Sequence, residues 1–118
     1  MTTQEIANRL VELCRIGKVD QLQAELFADN AQSIEPNENF GPKVTSGLDA
    51  IKAKSKQFQS MVEEFHGATI SDPIAIGNCF ALTWVLEATM KGQGRMTLAE
   101  VCVYKVENGK IILEQFFY

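Results

Sequence analysis

Three ionisable side chains stand where they could take part in proton transfer. Glu35 ends the segment LFADNAQSIEP, which runs from an apolar helix end through a turn into a strand-like stretch. Glu100 falls among the apolar positions of a later strand-like segment, and His66 is the only histidine. Desolvation beside an apolar pocket raises the pKa of a carboxyl group towards the range in which it exchanges protons near neutral pH. These three residues therefore indicate acid–base chemistry.

The alternation of side chains assigns an inner face to two strands. In CFALTWVLEATM every even-numbered position is apolar, whereas the odd-numbered positions include Thr83 and Glu87. In RMTLAEVCVYKV the even-numbered positions are again mostly apolar, and this parity turns Glu100 inwards. A bulge would turn Glu100 outwards instead, but the parity of its neighbours favours the pocket. The wall predicted from these two strands consists of Leu82, Trp84, Leu86, Leu98 and Cys102.

The other ionisable residues leave alternatives open. Glu35 could equally be a solvated strand end, because alternation over six residues does not decide which face is inside. For Glu114, apolar residues on both sides fit either parity, and a solvated or interface carboxylate is the favoured interpretation. A lone histidine more often has a structural or surface role than a catalytic one. His66 would form an acid–base pair only if it pointed into the pocket beside Glu35 or Glu100.

The cysteines and the single histidine argue against metal and thiol chemistry. Cys14, Cys79 and Cys102 are odd in number, far apart and set among apolar neighbours, which predicts buried thiols. No Cys-x-x-Cys spacing is present to hold zinc, and apolar surroundings of this kind do not lower the pKa of a thiol. We therefore expect no metal site, no cofactor and no nucleophilic cysteine.

Length and charge restrict the class of protein. A chain of 118 residues that is 46% hydrophobic is expected to form one domain over residues 1–118 with a core of its own. Fifteen acidic residues outnumber eleven basic ones, and the basic residues form no cluster, so we expect neither nucleic-acid nor membrane binding. The sequence has no apolar run of membrane-spanning length and no recognisable leader, which predicts a cytoplasmic protein.

Helical spacing occupies the first half of the chain. The segment TTQEIANRLVELCRIG has Thr2 and Glu5 at capping-box spacing. A second helix is predicted in KVDQLQAELFADN, where it ends at Asp29 and Asn30. A third is predicted in LDAIKAKSKQFQSMVEEF, opened by Ser46 and Asp49.

Strands occupy the second half. From His66 onwards the apolar period changes to two, with turn signals at SDP, IGN, KGQG and ENG. We therefore predict an α+β fold, in which three helices pack on the concave face of a strongly curved antiparallel sheet.

The order of these elements resembles a known superfamily. FADNA leads to SIEP, then to the helix GLDAIKA and finally to VYKVENGKIILEQFFY, and this succession resembles the SnoaL-like and ketosteroid-isomerase-like proteins. The resemblance covers nearly the whole chain. It implies the cone of the nuclear transport factor two-like (cystatin-like) fold, with an apolar pocket on the concave side. Its members include isomerases, polyketide cyclases, dehydratases, hydrolases and purely associative domains.

The resemblance also implies roles for individual residues. The isomerases carry their catalytic base in an Asp-Pro motif at the end of the first strand, and Glu35-Pro36 occupies that place. In this chain, Leu10 stands at the position of the isomerases' tyrosine donor. The position of their protonated acid falls at or near Cys102. Leucine cannot donate a hydrogen bond and a thiol donates weakly, so steroid isomerisation of that type is not expected. Glu100 could replace the acid if it is protonated.

Two aromatic residues complete the pocket that the resemblance implies. Trp84 and Tyr118 fall where the isomerases place pocket aromatics, and Leu10 joins them as a wall residue.

The outer strand face is too apolar for a wetted surface, because valine, alanine and threonine predominate on it. This composition predicts a homodimer through the convex sheet face. The residues concerned are Thr83, Val85, Glu87, Thr89, Thr97, Ala99, Val101 and Val103.

Two functions follow from the sequence. The first is a pocket protein for a small apolar molecule, as an isomerase, cyclase or lyase that acts on a carbonyl compound with Glu35 as the proton-transfer group. The alternative is a non-catalytic ligand-binding or dimeric association module, which the missing oxyanion donors favour. Whether the protein is an enzyme stays open at this point.

Overall fold

Three helices cover one face of a seven-stranded sheet in the computed structural model, which describes residues 1–118. The helices are α1 (Thr3–Arg15), α2 (Val19–Leu26) and α3 (Leu48–Met61). The strands are β1 (Phe27–Ile34), β2 (Val44–Ser46), β3 (Val62–Ile70), β4 (Ile74–Ile76), β5 (Cys79–Met90), β6 (Gly94–Glu107) and β7 (Lys110–Phe117). The predicted α+β class with three helices is thus confirmed.

Helix α1 begins as its sequence predicts. The Thr2 hydroxyl accepts the Glu5 backbone N–H, and the Glu5 carboxylate accepts the Thr2 N–H at 2.8 Å, which completes the capping box. The apolar face of the helix is buried in the core, where Ile6 and Leu10 are fully covered. Gly17 follows the helix at a φ of 73°, a conformation that glycine adopts without strain.

The other two helices are shorter than predicted. Helix α2 ends at Leu26 instead of Asp29–Asn30, because Phe27 is already extended and pairs with Ile111 of β7. Helix α3 ends at Met61 instead of Phe65, because the residues that follow pair with β5. In both places the spacing of apolar residues fits a helix equally well, but the residues form a strand because they pair with a neighbouring strand.

The start of α3 also differs from the prediction. No side chain caps this helix, so the expected cap from Ser46 and Asp49 does not form. Gly47 occupies the N-cap position instead, at a φ of 92°. Its backbone N–H donates to the carbonyl of Ala31 at 2.8 Å, which ties the beginning of the helix to β1.

The sheet is mixed, which corrects the prediction of a wholly antiparallel one. Its strand order is β2-β1-β7-β6-β5-β3, with β4 paired to β5. All neighbours are antiparallel except β1 and β7, which run in the same direction. A parallel pair needs a long connection, and here α3 and the whole antiparallel meander lie between the two strands.

Strands β5 and β6 form the longest ladder and keep the predicted parity. Their register runs without a shift from Cys79 opposite Lys105 to Met90 opposite Gly94. The even-numbered side chains face the helices, and Trp84 lies opposite Glu100 on that face. The predicted turn between β6 and β7 is formed by Asn108 and Gly109, both at positive φ, as a tight hairpin requires.

No helix of the protein is both long enough and apolar enough to cross a lipid bilayer.

The backbone at Gly47 generates a stability prediction. We expect Gly47→Ala to lower the free energy of unfolding by about 1–3 kcal/mol, because a residue with a Cβ is strained at a φ of 92°. Gly67→Ala is the matched control, since Gly67 has no positive φ and an added methyl group there would meet nothing within 4 Å. The control should be neutral or slightly stabilising. Urea unfolding of both variants measures the difference, and equal midpoints would contradict the prediction.

Candidate functional site

A cavity of about 1070 Å³ lies between the helices and the inner face of the sheet. One part of its lining is polar and contains Glu35, Lys54, Glu100, Glu114 and Tyr118. The remaining lining is largely apolar and aromatic, and includes Phe40, Phe58, Trp84, Leu86, Leu98 and Phe116. This combination of a mostly apolar wall with a few grouped polar residues is typical of small-molecule sites.

Glu35 is held in the cavity wall by two donors. Its Oε1 lies 3.1 Å from Lys54 Nζ, and its Oε2 accepts a hydrogen bond of 3.0 Å from the Tyr118 hydroxyl. The side chains of Glu35 and Lys54 are only 15% and 14% exposed. The backbone N–H of Glu35 donates to the Lys43 carbonyl at 2.8 Å, which fixes the residue just beyond β1. Glu35 is therefore not the solvated strand end that the sequence left open.

Lys54 connects three elements of the site. From α3 it donates to Ser33 Oγ on β1 at 2.6 Å as well as to Glu35, and its ammonium lies 5.5 Å from the centre of the Phe116 ring on β7. Sequence reasoning missed Lys54 and Ser33. A signal for Lys54 was present, because it follows Ile51 by three residues on the apolar face of α3.

Tyr118 contributes a donor at the edge of the site. Its residue is about half exposed, but the hydroxyl is engaged with Glu35. Burial of the hydroxyl, and then its hydrogen bond to the Glu35 carboxylate, raise the pKa of Tyr118 well above the ordinary value. The phenol therefore keeps its proton and remains a donor to Glu35 over the physiological pH range.

Glu100 lies inward on β6, opposite Trp84. Burial, and after it the negative charge of Glu35, raise the pKa of Glu100 to about 7, and the hydrogen bond from the Cys102 thiol partly offsets the shift. The Cys102 sulphur lies 3.6 Å from Glu100 Oε1. Burial also raises the pKa of the Cys102 thiol far above its usual range, so this cysteine stays protonated and is a poor nucleophile.

Glu114 is a buried member of the site, so its expected solvated or interface position is wrong. It is 7% exposed and lies opposite Tyr104 of β6 and Ser33 of β1. The physical reason is a bulge, because Val106 pairs with Ile111 whereas Lys105 pairs with Leu113. The extra residue changes the parity of β7 so that both Ile111 and Glu114 are buried.

Burial and nearby charges set the protonation of Glu114. Burial raises its pKa to about 7, and the charge of Glu35 contributes to the rise. The Ser33 hydroxyl and the Lys54 ammonium oppose this shift. Two carboxyl groups of one cavity, Glu100 and Glu114, thus hold protons near neutral pH, whereas Glu35 has an ammonium as its direct partner.

His66 lies outside the cavity, so the condition for an acid–base pair with Glu35 or Glu100 is not met. Its Nε2 is 2.7 Å from the Thr89 hydroxyl across the β3–β5 ladder and 3.8 Å from a Glu64 oxygen. Thr89 occupies an odd-numbered position of β5, so this contact lies on the face opposite to the even-numbered inner residues. The structure supports the structural alternative for His66.

The predicted wall residues divide into two groups. Trp84, Leu86, Leu98 and Tyr118 line the cavity. Leu10, Leu82 and Cys102 are instead packed in the hydrophobic core at 0%, 3% and 0% exposure, and the cavity does not reach them. The correction has a physical reason, because parity identifies the inner face of a strand but not where along it the core ends and the hollow begins.

The acidic residues do not form a metal site. No group of three or more His, Cys, Asp or Glu side chains has an arrangement that could hold a metal ion.

The fold and the cavity define the class of the protein. A curved, unclosed sheet covered by three helices is the cystatin-like or nuclear transport factor two-like architecture, and a family model described as a SnoaL-like domain matches residues 1–118. The chain belongs to the SnoaL-like domain family.

Solved structures agree with this assignment. A protein from Mesorhizobium loti, described as a SnoaL-like polyketide cyclase and as a carbohydrate phosphatase, is 38% identical with a TM-score of 0.93, and the match covers 100% of both chains. A Xanthomonas campestris protein of unknown function with a cystatin-like fold is 19% identical, with a TM-score of 0.82 over 99% of this chain and 90% of that one.

A third structure shares the fold at a similar distance. It is a Catenulispora acidiphila protein with a ketosteroid isomerase-like fold in complex with trimethylamine, 19% identical with a TM-score of 0.75 over 99% of this chain and 87% of that one. A comparison with proteins of curated function gives no match.

The buried carboxyl of Glu114 generates a pH prediction. Its pKa of about 7 in the folded chain exceeds the 4.5 of a free glutamate side chain, so the folded state binds this proton more tightly. The resulting stability is present below about pH 4.5 and is lost as the pH rises towards 7. Glu114→Gln should therefore raise the free energy of unfolding by about 1–3 kcal/mol near pH 8 and have little effect near pH 4.

Urea unfolding between about pH 4 and pH 8 measures this difference. Glu38→Gln is the control, because Glu38 is an exposed loop residue and its replacement should change neither stability nor its pH dependence. A Glu114→Gln variant that is equally destabilised at every pH would contradict the prediction.

Proposed function

We propose that this protein binds an apolar carbonyl compound in its cavity and moves a proton on it, as an isomerase, cyclase or lyase without a cofactor. Glu35 is the proton-transfer group. The observation that carries the proposal is the placement of the Glu35 carboxylate, which is fixed by Lys54 and Tyr118 in a cavity that also contains Glu100 and Glu114. Carboxyl groups in unlike environments within one site are suited to separate acid and base roles.

The proposed chemistry follows from those environments. The ionised Glu35 takes a proton from the carbon next to the substrate carbonyl, and the electron pair of that C–H bond forms the double bond of an enol. The carbonyl oxygen gains negative charge, and Glu100 in its acid form donates a hydrogen bond or its proton to it. The burial that raises the pKa of Glu100 to about 7 keeps that proton available near neutral pH. Return of the proton to another carbon completes an isomerisation.

The cavity and the relatives support this substrate class. The wall around the carboxyl groups is largely aromatic and aliphatic, which suits an apolar molecule. The Mesorhizobium loti protein, at 38% identity, bears the name of a polyketide cyclase, and polyketides are carbonyl compounds. Lys54 and Tyr118 contribute by holding the Glu35 carboxylate in one orientation, since each of its oxygens has one donor.

A second candidate function is a non-catalytic ligand-binding or dimeric association module. The ion pair between Lys54 and Glu35 favours it, because an ammonium already occupies the proposed base as it would in a purely structural contact. The convex sheet face favours association: Val101 is 43% exposed there, amid valine, alanine and threonine. We propose that a second copy of the chain covers this face.

Proton exchange tests the catalytic proposal without a known substrate. In D₂O the protein should accelerate exchange of the protons next to the carbonyl in members of a panel of ketones and β-keto esters, observed by NMR. Glu35→Gln should slow this exchange about a hundredfold or more, because the base is lost. Glu38→Gln should exchange at the wild-type rate. Ligands that raise the melting temperature but show no exchange would favour the binding module.

Sedimentation tests the association proposal. Val101→Lys places a charge in the proposed contact and should convert a dimer into a monomer at micromolar concentration. Gln57→Lys is the control, since Gln57 is exposed on α3 away from the convex face. A wild-type chain that sediments as a monomer, or a Val101→Lys variant that remains dimeric, would contradict the contact.

A further inference from the structure

We infer that Glu114 binds the positively charged group of a ligand, such as a protonated amine or a quaternary ammonium. This inference rests on the proposed function only in requiring that the cavity holds a small molecule. It adds a substrate class, because it selects cationic ligands over neutral or acidic ones of the same shape.

The charges around the cavity are unbalanced. Four carboxyl groups line the cavity, of which Glu63 is exposed to solvent and Glu35 is paired with Lys54. Arg15 also borders the cavity, but its guanidinium bonds to Asp72 and to the Ile70 carbonyl. No Lys, Arg or His nitrogen lies within 4 Å of a carboxyl oxygen of Glu100 or Glu114. A cationic ligand would supply the missing charge.

The burial of Glu114 is the second observation. This side chain is 7% exposed, borders the cavity and has no ionic partner. A carboxyl group in such a place costs free energy that an apolar residue of similar size would avoid. The Ser33 hydroxyl and the Lys54 ammonium offset only part of that cost, since the pKa of Glu114 remains raised. Such an arrangement is expected where the partner of the carboxylate arrives with the ligand.

Aromatic rings adjoin the two carboxyl groups. Trp84 lies opposite Glu100 on the neighbouring strand, and Phe116 follows Glu114 by two residues on β7. The ring of Phe116 already has the Lys54 ammonium 5.5 Å from its centre. Aromatic faces together with carboxylates recognise ammonium groups in proteins, because both attract positive charge.

Protons compete with the cation for Glu114. Burial raises the pKa of Glu100 and of Glu114 to about 7, so near neutral pH each holds a proton part of the time. A cation beside Glu114 favours the ionised form of this carboxyl group and should therefore release a proton when it binds, whereas Glu100 keeps the proton that the proposed catalysis uses. The other titratable groups that influence these two carboxyls, or are influenced by them, are Cys14, Glu35, Lys54, Cys102, Tyr104 and Tyr118.

Calorimetry with matched probes tests the inference. Benzyltrimethylammonium carries a permanent charge, neopentylbenzene is its neutral isostere, and phenylacetate is an acidic analogue. Near pH 8 the ammonium should bind about tenfold or more tightly than the isostere, and phenylacetate should bind most weakly. The affinity for the ammonium should fall about tenfold between pH 8 and pH 6, with proton release measured in buffers of different ionisation enthalpy. The affinity for the isostere should not change with pH.

Variants show which carboxyl group is responsible for the preference for the ammonium. Glu114→Gln should reduce the preference for the ammonium and the proton release, and Glu38→Gln should change neither. Equal affinities for the ammonium and its isostere near pH 8, or no detectable binding of the ammonium at millimolar concentration, would overturn the inference. The wild-type proton release alone decides the question if a variant does not fold.

The experiments can contradict the proposed catalysis and the proposed cationic ligand independently of each other. A protein that prefers the ammonium but exchanges no carbonyl protons keeps this inference and loses the proposed catalysis. One that exchanges carbonyl protons through Glu35 but binds both probes equally loses only the cationic ligand.

Discussion

The alternation of side chains along β5 and β6 is the constraint on which the site depends. Twelve consecutive residue pairs hold these strands in one register, and each even-numbered side chain faces the helices. A slip by one residue would turn Trp84 and Glu100 to the convex face and Thr83 and Val101 into the cavity. The alternation of side chains along these two strands therefore determines which residues line the cavity.

Within that cavity, the position of Lys54 determines which carboxyl group has a cationic partner. Lys54 is bonded to Glu35 and to Ser33, so its charge is committed to the β1 side of the cavity. Glu100 and Glu114 have no Lys, Arg or His nitrogen within 4 Å, and burial raises the pKa of each to about 7. Three carboxyl groups of one chemical type thus occupy two different electrostatic environments, which is the requirement for giving them different roles.

The sequence carried much of the fold and part of the site. Capping residues such as Thr2 and the period-two pattern of β5 and β6 are local signals, and they predicted α1 and the inner face correctly. The ends of α2 and α3 were mispredicted because their pairing partners in β7 and β5 are distant in sequence. Glu114 was misplaced for a related reason, since a bulge opposite Lys105 and Val106 leaves no mark in composition.

The sequence pattern also does not predict how far the cavity extends along the strands. Leu82 and Trp84 share one face of one strand, yet the first belongs to the core and the second to the cavity wall. Which of the two a residue joins depends on how closely the helices approach at that level, and that distance is a property of the assembled molecule. The periodicity of the sequence predicts which face of a strand a side chain lies on. The packing of the helices on the sheet determines whether that side chain contacts the core or the cavity.

The parallel pairing of β1 with β7 has a consequence for how the protein reaches its native state. The contact between Glu35 and Tyr118 joins residues 83 positions apart, and the pairing of Ser33 with Glu114 joins β1 to β7 across a similar separation. Closing so long a loop carries an entropic cost that local helices do not have. The site should therefore be among the last regions to consolidate during folding, and the edge of β1 that faces β7 should stay unpaired until β7 has docked.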